Sequence, residues 1–221
     1  SWGNNRTKEG RGINMDLYEK AWSGKHGEEY AKKCVIDPES RAPIFKKLID
    51  IMKNYDGESV ISASLELGCN AGHNLEAIKL ASNGDITDIK GLEIRKDHCT
   101  KPSIINGSIY DIPWEEGTFS LTFTSGVLIH IPPDRVVEAM SEMRRVSAQF
   151  VVMIEYYSEE EKGTKYREDF EYKDGVWARP FGEIYKRSFP QDTLIETGKV
   201  SDLGDEGWGF TKCNYWIYNK L

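Results

Sequence analysis

The sequence has no paired cysteines, no histidine cluster, no long hydrophobic run and no surplus of positive charge. Its four cysteines, Cys34, Cys69, Cys99 and Cys213, are scattered without a C-x-x-C spacing. A disulfide framework and a zinc site are therefore not expected, and a reducing cytoplasmic setting is. The four histidines, His26, His73, His98 and His130, show no metal-ligand spacing, so no metal is expected either. No apolar run approaches the roughly 20 residues needed to span a bilayer, and the opening SWGNNRTKEGRG has no hydrophobic signal core. The formal net charge is −7, which argues against a nucleic-acid backbone or an anionic membrane as partner.

What is present is ordinary globular material. The 221 residues suit one domain that buries roughly 70% of its unfolded surface. Six Trp and eleven Tyr are many for this length, and some are expected to line a pocket. Residues 1–36 read as an N-terminal cap segment and 37–221 as the main domain. Asp37-Pro38 suits a helix start, and Ile44, Phe45, Leu48, Ile49 and Met52 follow it at helical spacing. Strands are predicted over 59–67, 88–94, near Ile104-Ile105, over 119–124 and over 150–156. Helical stripes lie between them at Leu75, Ile78 and Ala81 and at Val136, Val137, Met140, Met143 and Val146. Alternating strands and helices imply a doubly wound, Rossmann-like α/β fold with a mostly parallel sheet. The chain is expected to close with an antiparallel hairpin, its arms Val200–Leu203 and Thr211–Asn219. Between the fifth strand and that hairpin, residues 158–187 form a polar insert whose charges nearly cancel. Its aromatics suggest a lid or substrate wall.

The chemistry concentrates in Glu66-Leu67-Gly68-Cys69-Asn70-Ala71-Gly72-His73-Asn74, a glycine turn between the first strand and its helix. The dinucleotide fingerprint G-x-G-x-x-G carries a third glycine for helix–strand packing, and none follows here. Glu66 beside the turn repels phosphate and welcomes an ammonium group. Glu93 ends the second strand, where a carboxylate can accept both ribose hydroxyls of an adenosine. The stretch Asn106–Trp114 would reach the base, and Ser125-Gly126-Val127-Leu128-Ile129-His130-Ile131-Pro132 forms the turn after strand four.

In this order these elements resemble the class I S-adenosylmethionine-dependent methyltransferases, over roughly residues 59–156. More narrowly, Ala21–Tyr30, Gly107–Pro113, Gly126–Ile131 and Glu155-Tyr156-Tyr157 resemble the methylases associated with pseudaminic acid biosynthesis. Tyr166-Arg167 and Lys186-Arg187-Ser188-Phe189 continue that likeness. The resemblance implies S-adenosylmethionine as cofactor, with Glu66, Gly68, Cys69, Asn70, Gly72 and Asn74 around its methionine end. It also implies Glu93 on ribose, Ile94 and Ile109 on either side of adenine, Ser108 near the adenine amino group, and Ser125-Gly126 under the sulfonium. Trp22 and Tyr30 would close over the methionine end. Many class I members have an acid where Ser108 stands. The implied acceptor is a small molecule, anionic or nucleotide-linked sugar included, met by Tyr156, Tyr166, Arg167, Arg179, Lys186 and Arg187. The natural alternatives are core packing for Tyr156 and scattered surface charge for the basic residues.

His130 is the candidate base for a hydroxyl acceptor, with Tyr157 and Glu155 behind it; as a competing role, His130 orients the loop. Acceptors outside the nonulosonates, such as amino sugars or other natural products, remain open, and so does a catalytically silent cofactor-binding regulator. Only 14 residues separate Glu93 from Ser108. The second crossover helix should therefore be cut to about one turn, with residues 1–34 or the partner in a homodimer left to cover the exposed strands.

Overall fold

A computed structural model describes residues 15–34, 36–57, 60–164, 176–204 and 212–221. Two short helices come first, α1 (Leu17–Ser23) and α2 (Lys25–Lys33). Asp16 caps α1 by accepting from the N–H groups of Tyr18 and Glu19, and the Glu19 side chain accepts from the Asp16 N–H in return. The helix α3 (Pro38–Asp56) starts as its sequence dictates, with the Asp37 side chain on the Glu39 N–H and Pro38 in the first turn.

The main sheet then builds as β1 (Ala63–Leu67), α4 (His73–Ser82), β2 (Asp88–Glu93), β3 (Ile104–Asn106), β4 (Phe119–Ser125), α5 (Val136–Val146) and β5 (Ser147–Tyr156). A small two-stranded ribbon, β6 (Lys162–Thr164) with β7 (Val176–Ala178), precedes α6 (Phe181–Ser188), β8 (Thr193–Lys199) and β9 (Cys213–Asn219). Strand order is β3-β2-β1-β4-β5-β9-β8. The first five strands are parallel, and β9 runs antiparallel between β5 and β8. The chain winds outward from β1 to β3, returns to β4 on the other side of β1, and so opens a crevice at the carboxyl ends of β1 and β4.

Side chains alternate across the sheet, and each face has its own core. Leu65, Leu67, Val151 and Met153 meet the Val136, Met140, Met143 and Val146 stripe of α5 and the buried Phe181 and Tyr185 of α6. Phe123, Phe150, Val152 and Ile154 meet the Ile44, Phe45, Leu48, Ile49 and Met52 stripe of α3 on the opposite face. The link from β2 to β3 holds one 3-10 turn, Lys96–His98, in place of a crossover helix. No described helix is long and apolar enough to cross a membrane.

Two features differ from the pattern read in the sequence. The first arm of the terminal hairpin is Thr193–Lys199, and Val200–Leu203 is a 3-10 turn. As the edge strand, β8 is only partly covered and its residues carry little apolar signal. Val200 and Leu203, three apart, fall on one side of a single turn and enter the α3-side core. The first strand also starts later, at Ala63 rather than residue 59. Within the 158–187 insert, the α6 part is integral to the core: Phe181 and Tyr185 are buried, and Arg179 is fully enclosed. The aromatics at 166, 170 and 172 lie outside the described residues.

One polar knot ties α6, α5 and the chain end. The buried Asp192 accepts from Arg144 Nε and Nη2 at 2.7 and 2.8 Å, from Tyr185 Oη at 2.9 Å and from the Leu221 N–H at 3.2 Å. Removing the acid strands several donors at once, so Asp192→Ala is expected to cost about 3–5 kcal/mol. Urea unfolding at neutral pH checks this, and a loss below about 1 kcal/mol would contradict it.

Candidate active site

The crevice holds a cavity of about 400 Å³, within the usual size range of small-molecule sites. Its floor is the β1 turn. Gly68 and Gly72 take left-handed backbone, φ 69° and 79°, and Asn70 joins them at φ 50°. The Gly68 and Cys69 N–H groups both donate to the Leu92 carbonyl, at 2.8 and 3.1 Å, which fastens the turn to β2. A Cβ on Gly68 would lie 2.7 Å from Val127 Cγ2, so the two loops flanking the crevice approach as closely as they do only because glycine stands there.

Glu66 and its neighbours form the main polar feature. The alternation of β1 turns Glu66 to the α3/α4 face, where it is buried. Asn74 Nδ2 donates to Glu66 Oε1 at 2.6 Å, and Arg41 Nη1 of α3 donates to Asn74 Oδ1, also at 2.6 Å. Glu66 Oε2 has no hydrogen-bond partner among the described residues. Burial raises the Glu66 pKa to about 8, against the downward pull of the Asn74 hydrogen bond and the Arg41 charge.

Glu93, also buried, holds the turn from the next strand: Oε2 accepts from the Asn70 N–H at 2.7 Å and Oε1 from the Arg95 N–H at 2.9 Å. Desolvation raises its pKa, partly offset by those backbone donors. Beside it, Ile94 and Ile109 reach the cavity, as do Cys69, Asn70, Ser125 and Gly126. Gly72 and Ser108 do not line the cavity. Gly72 sits behind it against Ile104 and Leu75, and the Ser108 hydroxyl donates to Glu19 of α1.

The helices α1 and α2 supply the roof. Trp22 and Tyr30 line the cavity with their ring centroids 5.2 Å apart, and Trp22 also lies 4.4 Å from the His130 ring. His130 ends a 3-10 turn, Leu128–His130, and is half-buried on the cavity wall; Tyr156 and Cys213, paired across β5 and β9, line the same cavity.

The expected catalytic and acceptor residues divide. Glu155 is enclosed at the end of β5, on the face opposite to Glu66, and spends both oxygens on backbone. Its Oε1 accepts from the Val127 and Leu128 N–H groups, at 3.2 and 3.1 Å, and Oε2 from Ile129 at 3.3 Å. It therefore holds the His130 turn and does not line the cavity. Burial lifts its pKa to about 7, against these donors. Tyr157 points away to an exposed position near Trp216. Arg179 braces the same turn from the other side, donating from Nη2 to the Ile131 carbonyl at 2.7 Å and lying 2.7 Å from Glu161 Oε2. Lys186 and Arg187 are exposed; Lys186 binds the carbonyls of Pro190 and Asp192. None of these three bases lines the cavity. Tyr166 and Arg167 lie outside the described residues.

Three charged cavity residues, Arg41, Arg95 and Glu19, were missed by sequence reading. Arg41 precedes Ile44 and Phe45 by three and four, so it extends the apolar stripe of α3; a charge in that register was the available signal. Glu19 was signalled by its place three residues after the capping Asp16.

Residues 65–149 match the family model described as a methyltransferase domain. Among solved structures, a SAM-dependent methyltransferase from Aquifex aeolicus is similar at a TM-score of 0.57 and 12% identity, over 87% of this chain and 98% of that one. The magnesium protoporphyrin IX methyltransferase of Synechocystis with bound SAH gives 0.59 and 9%, over 93% and 99%. The [4+2]-cyclase SpnF gives 0.52 and 11%, over 79% and 80%. The comparison with curated proteins gave no match. At these identities the structures show a shared fold: the chain has the class I methyltransferase architecture.

The buried acids Glu66 and Glu155 set a pH dependence of stability. Glu66 and Glu155 have folded pKa values of about 8 and about 7, above the ordinary 4.5 that the unfolded chain retains. The folded state thus binds protons that the unfolded state has lost, and stability from these groups disappears as pH rises through those values. The unliganded protein is expected to weaken between about pH 5 and pH 8, and Glu66→Gln to flatten that slope. Urea unfolding of both proteins at the two pH values checks it, and an identical slope in the variant would contradict it.

Proposed function

We propose that the chain is an S-adenosylmethionine-dependent methyltransferase whose acceptor is a small sugar of nonulosonate or nucleotide-linked type, methylated on oxygen or nitrogen. The observation that carries the cofactor reading is the orphaned Glu66 Oε2, buried on the cavity with Arg41 one side chain away. A buried carboxyl group and a guanidinium held close together match the ammonium and carboxylate of an amino-acid end, the ammonium drawing Glu66 into its ionised form. A pyrophosphate would meet the Glu66 carboxylate instead. The methyltransferase match over residues 65–149 supports the same reading.

The residues fit the cofactor in parts. Glu66 receives the ammonium, and Arg41 with Asn74 faces the carboxylate. Glu93 keeps lone pairs beyond those given to Asn70 and Arg95, and these accept the ribose hydroxyls. Ile94 and Ile109 supply apolar contact for the base. The glycine-bearing loops at Gly68 and Gly126 let a ligand lie against backbone, and Trp22 and Tyr30 exclude water from above. The cofactor supplies an electrophilic methyl on a sulfonium, so the protein's contribution is chiefly alignment, an effect worth roughly 7–11 kcal/mol in favourable cases.

For a hydroxyl acceptor, His130 takes the proton at its unprotonated ring nitrogen. Glu155 and Arg179 fix the turn that carries it, and Trp22 packs against its ring. Tyr156, which lines the cavity, is the acceptor contact. The sugar reading is supported by the segments Ala21–Tyr30 and Glu155–Tyr157. The SpnF likeness shows that this fold also serves a different reaction, and the acceptor assignment therefore needs a direct test.

That test is product analysis by mass spectrometry with free nonulosonic acids and nucleotide sugars, each with and without the cofactor. A 14-Da increase on a sugar is expected; transfer only to acceptors of other classes would overturn the sugar reading. Glu93→Ala is expected to weaken S-adenosylhomocysteine through lost charge-assisted hydrogen bonds, each worth about 1.5–3 kcal/mol. Calorimetry with a folded variant checks it, and an unchanged dissociation constant would remove Glu93 from the site. With an acceptor in hand, His130→Ala is expected to lower turnover by about 10²–10⁴-fold and to abolish the acid limb of the pH–rate profile. A variant that keeps the limb would leave His130 as an orienting residue.

A further inference from the structure

Glu19 belongs to α1, far in sequence from the other cavity acids, yet it is buried and forms part of the cavity wall. Each of its oxygens has a partner. Oε2 accepts from the Asp16 N–H at 3.0 Å, and Oε1 accepts from the Ser108 hydroxyl. A carboxylate offers about four lone-pair sites, so acceptor capacity remains. Ser108 has given its only proton to Glu19 and accepts from the Tyr110 N–H at 3.1 Å. Its neighbours Gly107 and Ile109 line the cavity, and Ser108 does not. Just beyond β3, therefore, the acceptor chemistry presented to the cavity is the carboxylate of Glu19 and not the serine hydroxyl.

We infer that Glu19 recognises the exocyclic amino group of the cofactor's adenine, with Ser108 positioning its carboxylate. The inference rests on the cofactor proposed above. It follows from the order of the wall: Glu93 at the end of β2 takes ribose, and the next strand end along the sheet, with Ile109, takes the base. The adenine amino group donates, and an ionised carboxylate only accepts. A hypoxanthine base carries a carbonyl oxygen at that place and would set acceptor against acceptor, a mismatch that polar sites reject strongly. The helix bearing Glu19 is itself anchored across the crevice. Arg135 Nη1 donates to Asp16 Oδ2 at 2.7 Å, and the Tyr18 ring meets Trp177 edge-on at 5.4 Å. Base recognition thus ties the N-terminal helices to the occupied site.

The experiment is calorimetric titration of S-adenosylhomocysteine and S-inosylhomocysteine into the wild-type protein and Glu19→Gln. The wild type is expected to prefer the adenosyl compound by about 10- to 100-fold, the worth of one hydrogen bond to a charged group. In Glu19→Gln the amide both donates and accepts, so the preference should collapse towards unity. Glu19→Asp, which keeps the charge but withdraws it by one methylene, serves if the glutamine variant fails to fold, and it too should lower the ratio. A wild-type ratio near one, or a ratio unchanged in the folded variant, overturns the role of Glu19. If the wild type binds neither compound, the cofactor reading falls and this inference with it.

Discussion

Three carboxylates buried at the carboxyl ends of parallel strands govern this crevice: Glu66 on β1, Glu93 on β2 and Glu155 on β5. A buried charge is costly unless it is hydrogen-bonded, so each acid forces structure around it. Glu155 gathers three backbone N–H groups and thereby shapes the turn that bears His130. Glu93 gathers two and shapes the β1 turn from the neighbouring strand. Glu66 is only half-satisfied, with one oxygen on Asn74 and the other without a partner among the described residues. The first two acids build the loops. The third leaves an unmet hydrogen bond that an ammonium-bearing ligand would meet.

The sheet makes this possible through parity. Along β1, Leu65 and Leu67 enter the α5-side core and Glu66 faces α3 and α4, which deliver Arg41 and Asn74. Along β5, Val151 and Met153 enter the same α5-side core and Glu155 follows them to the His130 turn. The two acids thus serve opposite sides of one crevice. A fold shared between methyltransferases and a cyclase does not choose a reaction, and the choice lies in these side chains.

The parts legible in the sequence were those where chemistry and local backbone coincide. The run Glu66-x-Gly68-x-Asn70-x-Gly72 is a single turn whose left-handed residues are glycines and an asparagine, and Glu93 lies one strand away. The shortened crossover followed from counting residues between Glu93 and Ser108, and the structure has one 3-10 turn there. Long-range partnerships left weaker traces. Arg41 reaches Asn74 across 33 residues and Glu19 meets Ser108 across 89, and no local pattern announces either pairing. Lys186 and Arg179 read as anion binders because their charge is visible in sequence while their carbonyl partners are not. The edge strand β8 was read too late because a half-covered strand does not need apolar alternation.

The central claim is that the half-satisfied Glu66 and its Arg41–Asn74 relay select an amino-acid-bearing nucleoside over a dinucleotide. Isothermal titration of the unliganded protein with S-adenosylhomocysteine and, separately, with NAD tests it most directly. The account predicts one S-adenosylhomocysteine site per chain, with the negative heat-capacity change of apolar burial, and no measurable NAD binding. Tight NAD binding with no response to S-adenosylhomocysteine would contradict it.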